Sequence, residues 1–204
     1  MRPLHTVLGS VLIATTVTAC TPTFAERTVP AATTHTTAPA ELPPGFYFDG
    51  EFVALGDFDP EGPVDLINMC DNLPDEVLHK AGMKRVEWLE PLHSARGTVC
   101  SFDPYEEGSG ADTYNYMADL IPKSRFEEEG LVIDTAPDSL IPGTYTFTSQ
   151  IHTEATDCHA SIDTVRGRMS FGYADYSNSF DLQQLCRQAV LTLETIYFDL
   201  RGNI

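Results

Sequence analysis

Cysteine is the residue type whose spacing in this chain bears most directly on chemistry. The 204-residue sequence contains five cysteines, all widely separated: Cys20, Cys70, Cys100, Cys158 and Cys186. Zinc sites and redox-active dithiols usually place two cysteines within a few residues of each other, as in C-x-x-C. The chain has no such pair, so the spacing favours structural disulfides over metal binding or redox catalysis.

Cys20 differs from the other cysteines because it ends an apparent export signal. Arg2 supplies positive charge, and residues 7–14 form an apolar run that is too short to span a bilayer as a helix. The sequence Val17-Thr18-Ala19-Cys20 resembles the lipobox of bacterial lipoproteins. This resemblance implies that Cys20 carries a diacylglyceryl thioether and becomes the mature N-terminus. Two acyl chains hold a soluble domain on a membrane where one chain would not.

An ordinary signal, cut after Ala19 or Ala25, is the alternative interpretation of the same residues. Acylation of Cys20 leaves four cysteines, and an even number in an exported domain indicates two disulfides. Four cysteines allow three pairings. Pairing of neighbours along the chain would close loops of about 30 residues, each worth about 3.5 kcal/mol on the chain-entropy model.

Two short segments offer weak metal-binding patterns. His152 and Glu154 lie near Cys158-His159, where strands are predicted, so zinc is conceivable, but two histidines without a third ligand are usually surface groups. Residues 57–62 carry alternate acids before a glycine, as in a calcium loop, but the twelfth position is Asn68 rather than glutamate. A solvated turn is predicted there instead.

Recognisable catalytic motifs are absent from the sequence. There is no G-x-S-x-G elbow, S-x-x-K, H-E-x-x-H or phosphate-binding glycine loop. We therefore predict no catalytic residues, no cofactor and no metal. The acidic run Glu127-Glu128-Glu129 is predicted to be a solvated face.

The net charge of the chain limits the classes of partner that it can bind. Thirty acids against twelve Lys and Arg give a net charge of −18. Nucleic-acid binding needs a basic surface to displace phosphate counterions, and anionic lipid attracts polybasic patches. Nucleic acid is therefore excluded as a partner, and the membrane is reached through lipid on Cys20 alone.

The chain divides into three parts. Residues 1–19 are the predicted signal peptide, and residues 20–44 are a tether rich in Thr, Pro and Ala that cannot form a core. Residues 45–204 are predicted to form an acidic extracytoplasmic domain on the outer face of the cell membrane.

Hydrophobic alternation predicts antiparallel strands within residues 144–173, with a turn at Arg166-Gly167. Pro74 and Gly82 bracket a short helix. Further strands are predicted near 46–48, 86–89, 98–102, 114–117 and 131–133, with a short helix or charged loop at 123–129.

The strongest periodicity lies at the C-terminal end. One helical stripe contains Leu182, Leu185, Cys186, Ala189, Leu193, Ile196 and Tyr197. Asn178 or Ser179 is predicted to cap this helix, with Asp181 in the first turn. The predicted fold class is α+β: an antiparallel sheet with a short N-terminal helix and a long amphipathic C-terminal helix packed on it, joined by two disulfides.

The order of these features resembles an uncharacterised family of actinobacterial cell-envelope lipoproteins. The similarity covers residues 57–198, from the helix after the first cysteine to the fourth cysteine in the last helix. The family usually has Asp-Pro-Cys and Cys-x-Trp at the first two cysteines, where this chain has Asn68-Met69-Cys70 and Cys100-Ser101-Phe102. The resemblance implies export, lipidation and the pairs Cys70–Cys100 and Cys158–Cys186.

Three functional hypotheses follow. The first is a membrane-anchored, non-enzymatic domain that binds an envelope protein or a small ligand. The second is a carrier of lipid or another hydrophobic ligand, which needs an apolar cavity between sheet and helix. The third is a cell-envelope hydrolase, which needs a cleft with a perturbed carboxylate or a positioned histidine.

Overall fold

The computed structural model describes residues 43–63, 65–106, 112–134, 138–149, 156–177 and 179–202. The predicted signal peptide, residues 20–42 of the tether, His152, Glu154 and Asn178 lie outside these ranges. Ten strands and four helices occur within them. The strands are β1 (Gly45–Phe48), β2 (Glu51–Ala54), β3 (Met83–Arg85), β4 (Leu92–Ser94), β5 (Gly97–Pro104), β6 (Asp112–Asp119), β7 (Val132–Asp134), β8 (Tyr145–Phe147), β9 (Asp157–Thr164) and β10 (Gly167–Asp175). The helices are α1 (Met69–Asn72), α2 (Asp75–Lys80), α3 (Lys123–Glu128) and α4 (Leu182–Gly202).

One antiparallel sheet of eight strands organises the domain. Its order is β3-β5-β6-β10-β9-β8-β7, and β4 pairs with the same edge of β5 as β3 does. β1 and β2 form a separate hairpin, whose turn residues Asp49 and Gly50 have φ values of 51° and 80°. Both values lie in the left-handed region that a two-residue hairpin turn requires. The predicted α+β class is confirmed.

The sheet has two chemically different faces. The first, which we call the helix face, carries apolar side chains that are buried in one cluster with α4. Members of this set include Tyr116, Ala160, Ile162, Met169 and Phe171. The second, which we call the polar face, carries the intervening residues of β9, namely Asp157, His159, Ser161 and Asp163. Strict alternation along β9 therefore separates the core from the polar groups.

Helix α4 confirms the predicted stripe, with Leu185, Ala189 and Leu193 at most 1% exposed. Its cap was predicted wrongly. Asp181 and Gln184 cap the helix reciprocally, each backbone N–H donating to the other's side chain at 2.8 Å. The Ser179 N–H instead donates to the carboxylate at the end of β10, which draws this residue into the preceding turn.

Two disulfides join the helices to the sheet, in the pairing that the resemblance implied. Cys70 of α1 is bonded to Cys100 of β5, and Cys158 of β9 to Cys186 of α4. Their Cα atoms are 5.8 Å and 4.9 Å apart, within the usual range for disulfides. The two bonds fix α1 and α4 to the helix face of the same sheet.

Several local predictions are confirmed, and one strand is wrong. Helix α2 begins after Pro74, and the chain leaves it through Gly82 at φ 77°. Residues 123–128 are helical, and the acids 127–129 are exposed. Residues 86–89 form no strand, because β3 and β4 occupy successive parts of the β5 edge and the chain between them leaves that edge. Trp88 is accordingly 81% exposed.

Candidate functional site

A groove lies along α4 where the helix face of the sheet lacks a cover. Helix α4 packs mainly over β9 and β10, and it barely reaches β8. The side of α4 that faces β7 and β8 therefore remains accessible. The groove encloses about 740 Å³, a volume typical of small-molecule sites.

One side of α4 supplies most of the groove wall. Its lining residues are Leu182, Gln183, Cys186, Arg187, Val190, Leu191 and Glu194. They recur at helical spacing from Leu182 to Glu194, and the rise of the helix between these two residues makes the wall about 18 Å long. Thr146 of β8 forms part of the floor, and the Cys158–Cys186 disulfide fixes this end of α4 to the sheet.

The rim of the groove is more acidic than basic. Asp134, Asp138 and Glu194 line it together with Arg187. Glu194 also positions the rim, since its carboxylate accepts hydrogen bonds from the Leu140 N–H at 2.6 Å and the Ser139 hydroxyl at 2.9 Å. An apolar wall with an acidic rim can bind an apolar ligand that carries a positive charge.

The polar face contains a second, smaller concavity around a positioned histidine. The ring of His159 is stacked on that of Phe147, with centroids 4.9 Å apart and planes 13° from parallel. Its Nε2 lies 3.4 Å from Oδ2 of Asp157. Gly172 lies opposite on β10, and a Cβ there would come within 2.5 Å of the ring. Three neighbours therefore hold the imidazole in place.

Asp157 is held in its charged form. Burial alone would raise its pKa, but hydrogen bonds from His159 and Ser149 outweigh this and place the pKa below its usual value. The Ser149 N–H donates to Oδ1 of Asp157 at 3.3 Å, leaving Oδ2 facing the imidazole. Because an ionised carboxylate only accepts hydrogen bonds, Nε2 of His159 acts as the donor.

The pocket beside this pair has a volume of about 270 Å³. Its lining mixes apolar and hydrogen-bonding side chains: Val99, Asn115, Met117, Ser149, Thr156, Asp157, His159 and Tyr176. Nδ1 of His159 and Oγ1 of Thr156 are both buried, and neither has a hydrogen-bond partner in the part of the chain that the structure describes. Each atom therefore lacks the hydrogen bond that a buried polar group normally has.

A second polar cluster on this face is structural. Arg168, 1% exposed, makes a bidentate ion pair with Asp119, and its guanidinium lies 4.1 Å from the ring centroid of Phe126. Nearby, the Tyr145 hydroxyl donates to Asp163 at 3.2 Å, and burial raises the pKa of both groups. These contacts fix α3 and β8 on the sheet.

The structure shows what becomes of the cysteines and of the candidate metal ligands that the sequence suggested. The disulfide cysteines are paired, so Cys158 is no metal ligand beside His159. At the predicted turn of residues 57–62, Oδ1 of Asp59 accepts the Glu61 N–H at 3.0 Å. Within the described ranges, no three His, Cys, Asp or Glu residues are grouped to hold a metal ion.

Sequence reasoning missed most of both sites. Asp157 and His159 alternate with Cys158 and Ala160, so their shared position on one face of β9 was visible in the pattern. The groove had no comparable signal. It depends on which strands α4 leaves uncovered, and a helical stripe does not specify that.

Comparison with family models, with curated proteins and with solved structures finds no match for this chain. The resemblance to envelope lipoproteins therefore remains a prediction. Among the described residues, no helix has the length and apolar character needed to cross a membrane.

Proposed function

We propose that this protein is a lipid-anchored, extracytoplasmic binding protein without enzymatic activity, and that the groove along α4 binds an apolar ligand bearing a positive charge. The groove itself carries the proposal, because four of the seven α4 residues that line it are apolar: Leu182, Cys186, Val190 and Leu191. Leu191 is 47% exposed on that wall. Exposure of a large apolar side chain inside a concave surface favours an occupant that buries it.

Charge complementarity supports a cationic ligand. Three acids and one arginine line the groove, and the whole chain carries a net charge of −18. An anionic ligand would meet repulsion both locally and from the long-range field. A neutral ligand would contact the apolar wall but would gain no electrostatic attraction from the acidic rim.

The binding test uses the Cys20→Ser chain, which cannot form a thioether, with dodecyltrimethylammonium and dodecyl sulfate as monomers in isothermal titration calorimetry. The cation is expected to bind about ten-fold more tightly than the anion, since replacing an attractive charge contact by a repulsive one should change the binding free energy by about 1.4 kcal/mol. Equal affinities, or tighter binding of dodecyl sulfate, would contradict the proposal.

Matched variants separate the apolar wall from the rim. Leu191→Asn should weaken both probes, whereas Phe198→Asn, at a similarly exposed position of the same helix, should weaken neither. Asp138→Lys should weaken the cation and strengthen the anion. Glu90→Lys, an equal charge change between β3 and β4, serves as its control.

The anchor has its own test. Cys20→Ala should move the protein from the membrane fraction to the soluble fraction, and the mass of the wild-type N-terminal peptide should include a diacylglyceryl group. A Cys20→Ala protein that stays fully membrane-bound would overturn the anchor while leaving the groove proposal intact.

The two alternatives receive different support. Fully buried residues such as Ala160 and Ala189 fill the described interface between sheet and α4, which does not favour a carrier enclosing its ligand there. The hydrolase alternative rests on the positioned His159. It predicts turnover of envelope glycans or esters that His159→Gln abolishes, and we expect no turnover by the wild-type protein.

A further inference from the structure

Two residues that line one pocket of the polar face each carry a buried polar atom with no hydrogen-bond partner within the described residues. The atoms are Nδ1 of His159, a residue only 7% exposed, and Oγ1 of Thr156. Buried polar atoms in proteins almost always have partners. Two exceptions in one 270 Å³ pocket therefore point to a ligand that supplies both hydrogen bonds.

The histidine cannot satisfy Nδ1 by turning. Asp157 holds Nε2, and the ring lies parallel to Phe147 and above Gly172. In the tautomer that places the ring proton on Nε2, toward Asp157, Nδ1 is a hydrogen-bond acceptor of fixed direction. The ligand must therefore offer an O–H or N–H donor.

The remaining lining defines the rest of the ligand. Thr156 can both donate and accept, and Asn115 retains its amide N–H groups because its Oδ1 already accepts from Ser101 at 2.9 Å. Met117 and Val99 provide an apolar side. A cyclic molecule with hydroxyl groups at its edge and C–H groups on its faces matches this arrangement.

We propose that this pocket binds a small, neutral, hydroxyl-rich ligand of about the size of a single sugar ring. Its volume lies below the range typical of drug-sized ligands. The charged Asp157 disfavours an anion. The pocket is on the opposite face of the sheet from the α4 groove, so this proposal and the proposed function can fail separately.

The direct test observes the imidazole nitrogen. Long-range ¹H–¹⁵N spectra of the labelled Cys20→Ser chain would be recorded with methyl β-D-glucopyranoside, methyl α-D-mannopyranoside and myo-inositol, each up to about 100 mM, to detect millimolar Kd values. At least one should move the His159 Nδ1 resonance upfield and saturably, as expected for an acceptor that gains a hydrogen bond. No movement with any of the three would overturn the proposal.

Two variants and an anionic sugar test whether binding depends on the hydroxyl of Thr156 and on the charge of the ligand. Thr156→Val removes one hydroxyl with little change in shape and should weaken binding about five-fold or more. Thr195→Val is the control, since that exposed hydroxyl on α4 bonds to the Leu191 carbonyl. Methyl β-D-glucopyranosiduronate should bind about five-fold more weakly than the neutral glucoside. Unchanged affinity in Thr156→Val, or preference for the anion, would contradict the assignment.

Discussion

Gly172 lies directly beneath the imidazole of His159, on the neighbouring strand. A Cβ at position 172 would lie 2.5 Å from both Nδ1 and Cε1 of that ring. Atoms do not approach this closely in a packed protein, so the absence of a side chain at Gly172 permits the ring's position. The glycine at this position of β10 therefore determines where the imidazole can lie in the pocket.

Gly172→Ala should therefore lower the free energy of unfolding by about 1–3 kcal/mol, the usual cost of overpacking a buried site. In a His159→Ala background the same change should be neutral or stabilising, because alanine suits a strand interior better than glycine. Urea unfolding of the four proteins in this double-mutant cycle gives the coupling energy. Equal costs in the two backgrounds would show that the ring does not require the glycine.

Because Arg168 and Asp119 form a buried ion pair, we expect that the effects of mutating them on the free energy of unfolding will not add. Asp119→Ala should destabilise the protein by about 3–5 kcal/mol, since it leaves a guanidinium uncompensated in a buried site. Arg168→Met combined with Asp119→Leu should cost less than Asp119→Ala alone. Chemical denaturation measures both. As a comparison, Asp65→Ala removes an exposed partner of Arg166 and should cost about 1 kcal/mol or less.

The two disulfides should contribute similarly to stability but differently to binding. Replacing either cysteine pair by alanine should lower the free energy of unfolding by about 3.5 kcal/mol on the chain-entropy model. Loss of Cys158–Cys186 should also weaken dodecyltrimethylammonium binding, because Cys186 lines the groove. Loss of Cys70–Cys100 should leave that affinity unchanged, and equal losses in the two variants would contradict this distinction.

The carboxylate of Asp175 should account for part of the stability that the folded protein loses at acid pH. This carboxylate accepts hydrogen bonds from the Ser177 hydroxyl and from the backbone of residues 177, 179 and 180, which lower its pKa below the usual value. The folded state therefore favours the ionised form. That stabilisation is complete above the unfolded pKa of about 3.9 and is lost as pH falls through the folded value.

Asp175→Asn should lower the free energy of unfolding at pH 7 by about 1–2 kcal/mol through weaker capping of this turn. The difference from wild type should shrink as the pH is lowered below about 4. Urea unfolding at several pH values measures it, with the exposed Glu90→Gln as control. A difference that stays constant with pH would argue against Asp175 as the titrating group.

The sequence predicted the framework well because local patterns determine it. Alternation in β9 and β10 marked the hairpin, and the stripe from Leu185 to Tyr197 marked the surface of α4 that packs on the sheet. The cap was predicted at the wrong residue because Asp175 accepts the N–H groups of Ser179 and Phe180 and holds them in a turn, so that the helix begins after Asp181. Such a turn depends on a contact between a side chain and the backbone, which hydrophobic periodicity does not report.

The sites were less predictable for the same reason. The groove arises from the position of α4 across β9 and β10, and the pocket from a ring on one strand resting over Gly172 on the next. A glycine within a strand indicates only that another group comes close. It does not identify that group as His159.

The most direct test of the central claim is an NMR map of where dodecyltrimethylammonium binds the ¹⁵N-labelled Cys20→Ser chain. The proposed function predicts saturable shifts of groove amides, including those of Gln183, Arg187 and Leu191, which Leu191→Asn reduces. Amides of β4, away from the groove lining, should not move. Shifts spread over the whole surface, or equal shifts with dodecyl sulfate, would contradict the assignment of the groove as a site for a cationic, apolar ligand.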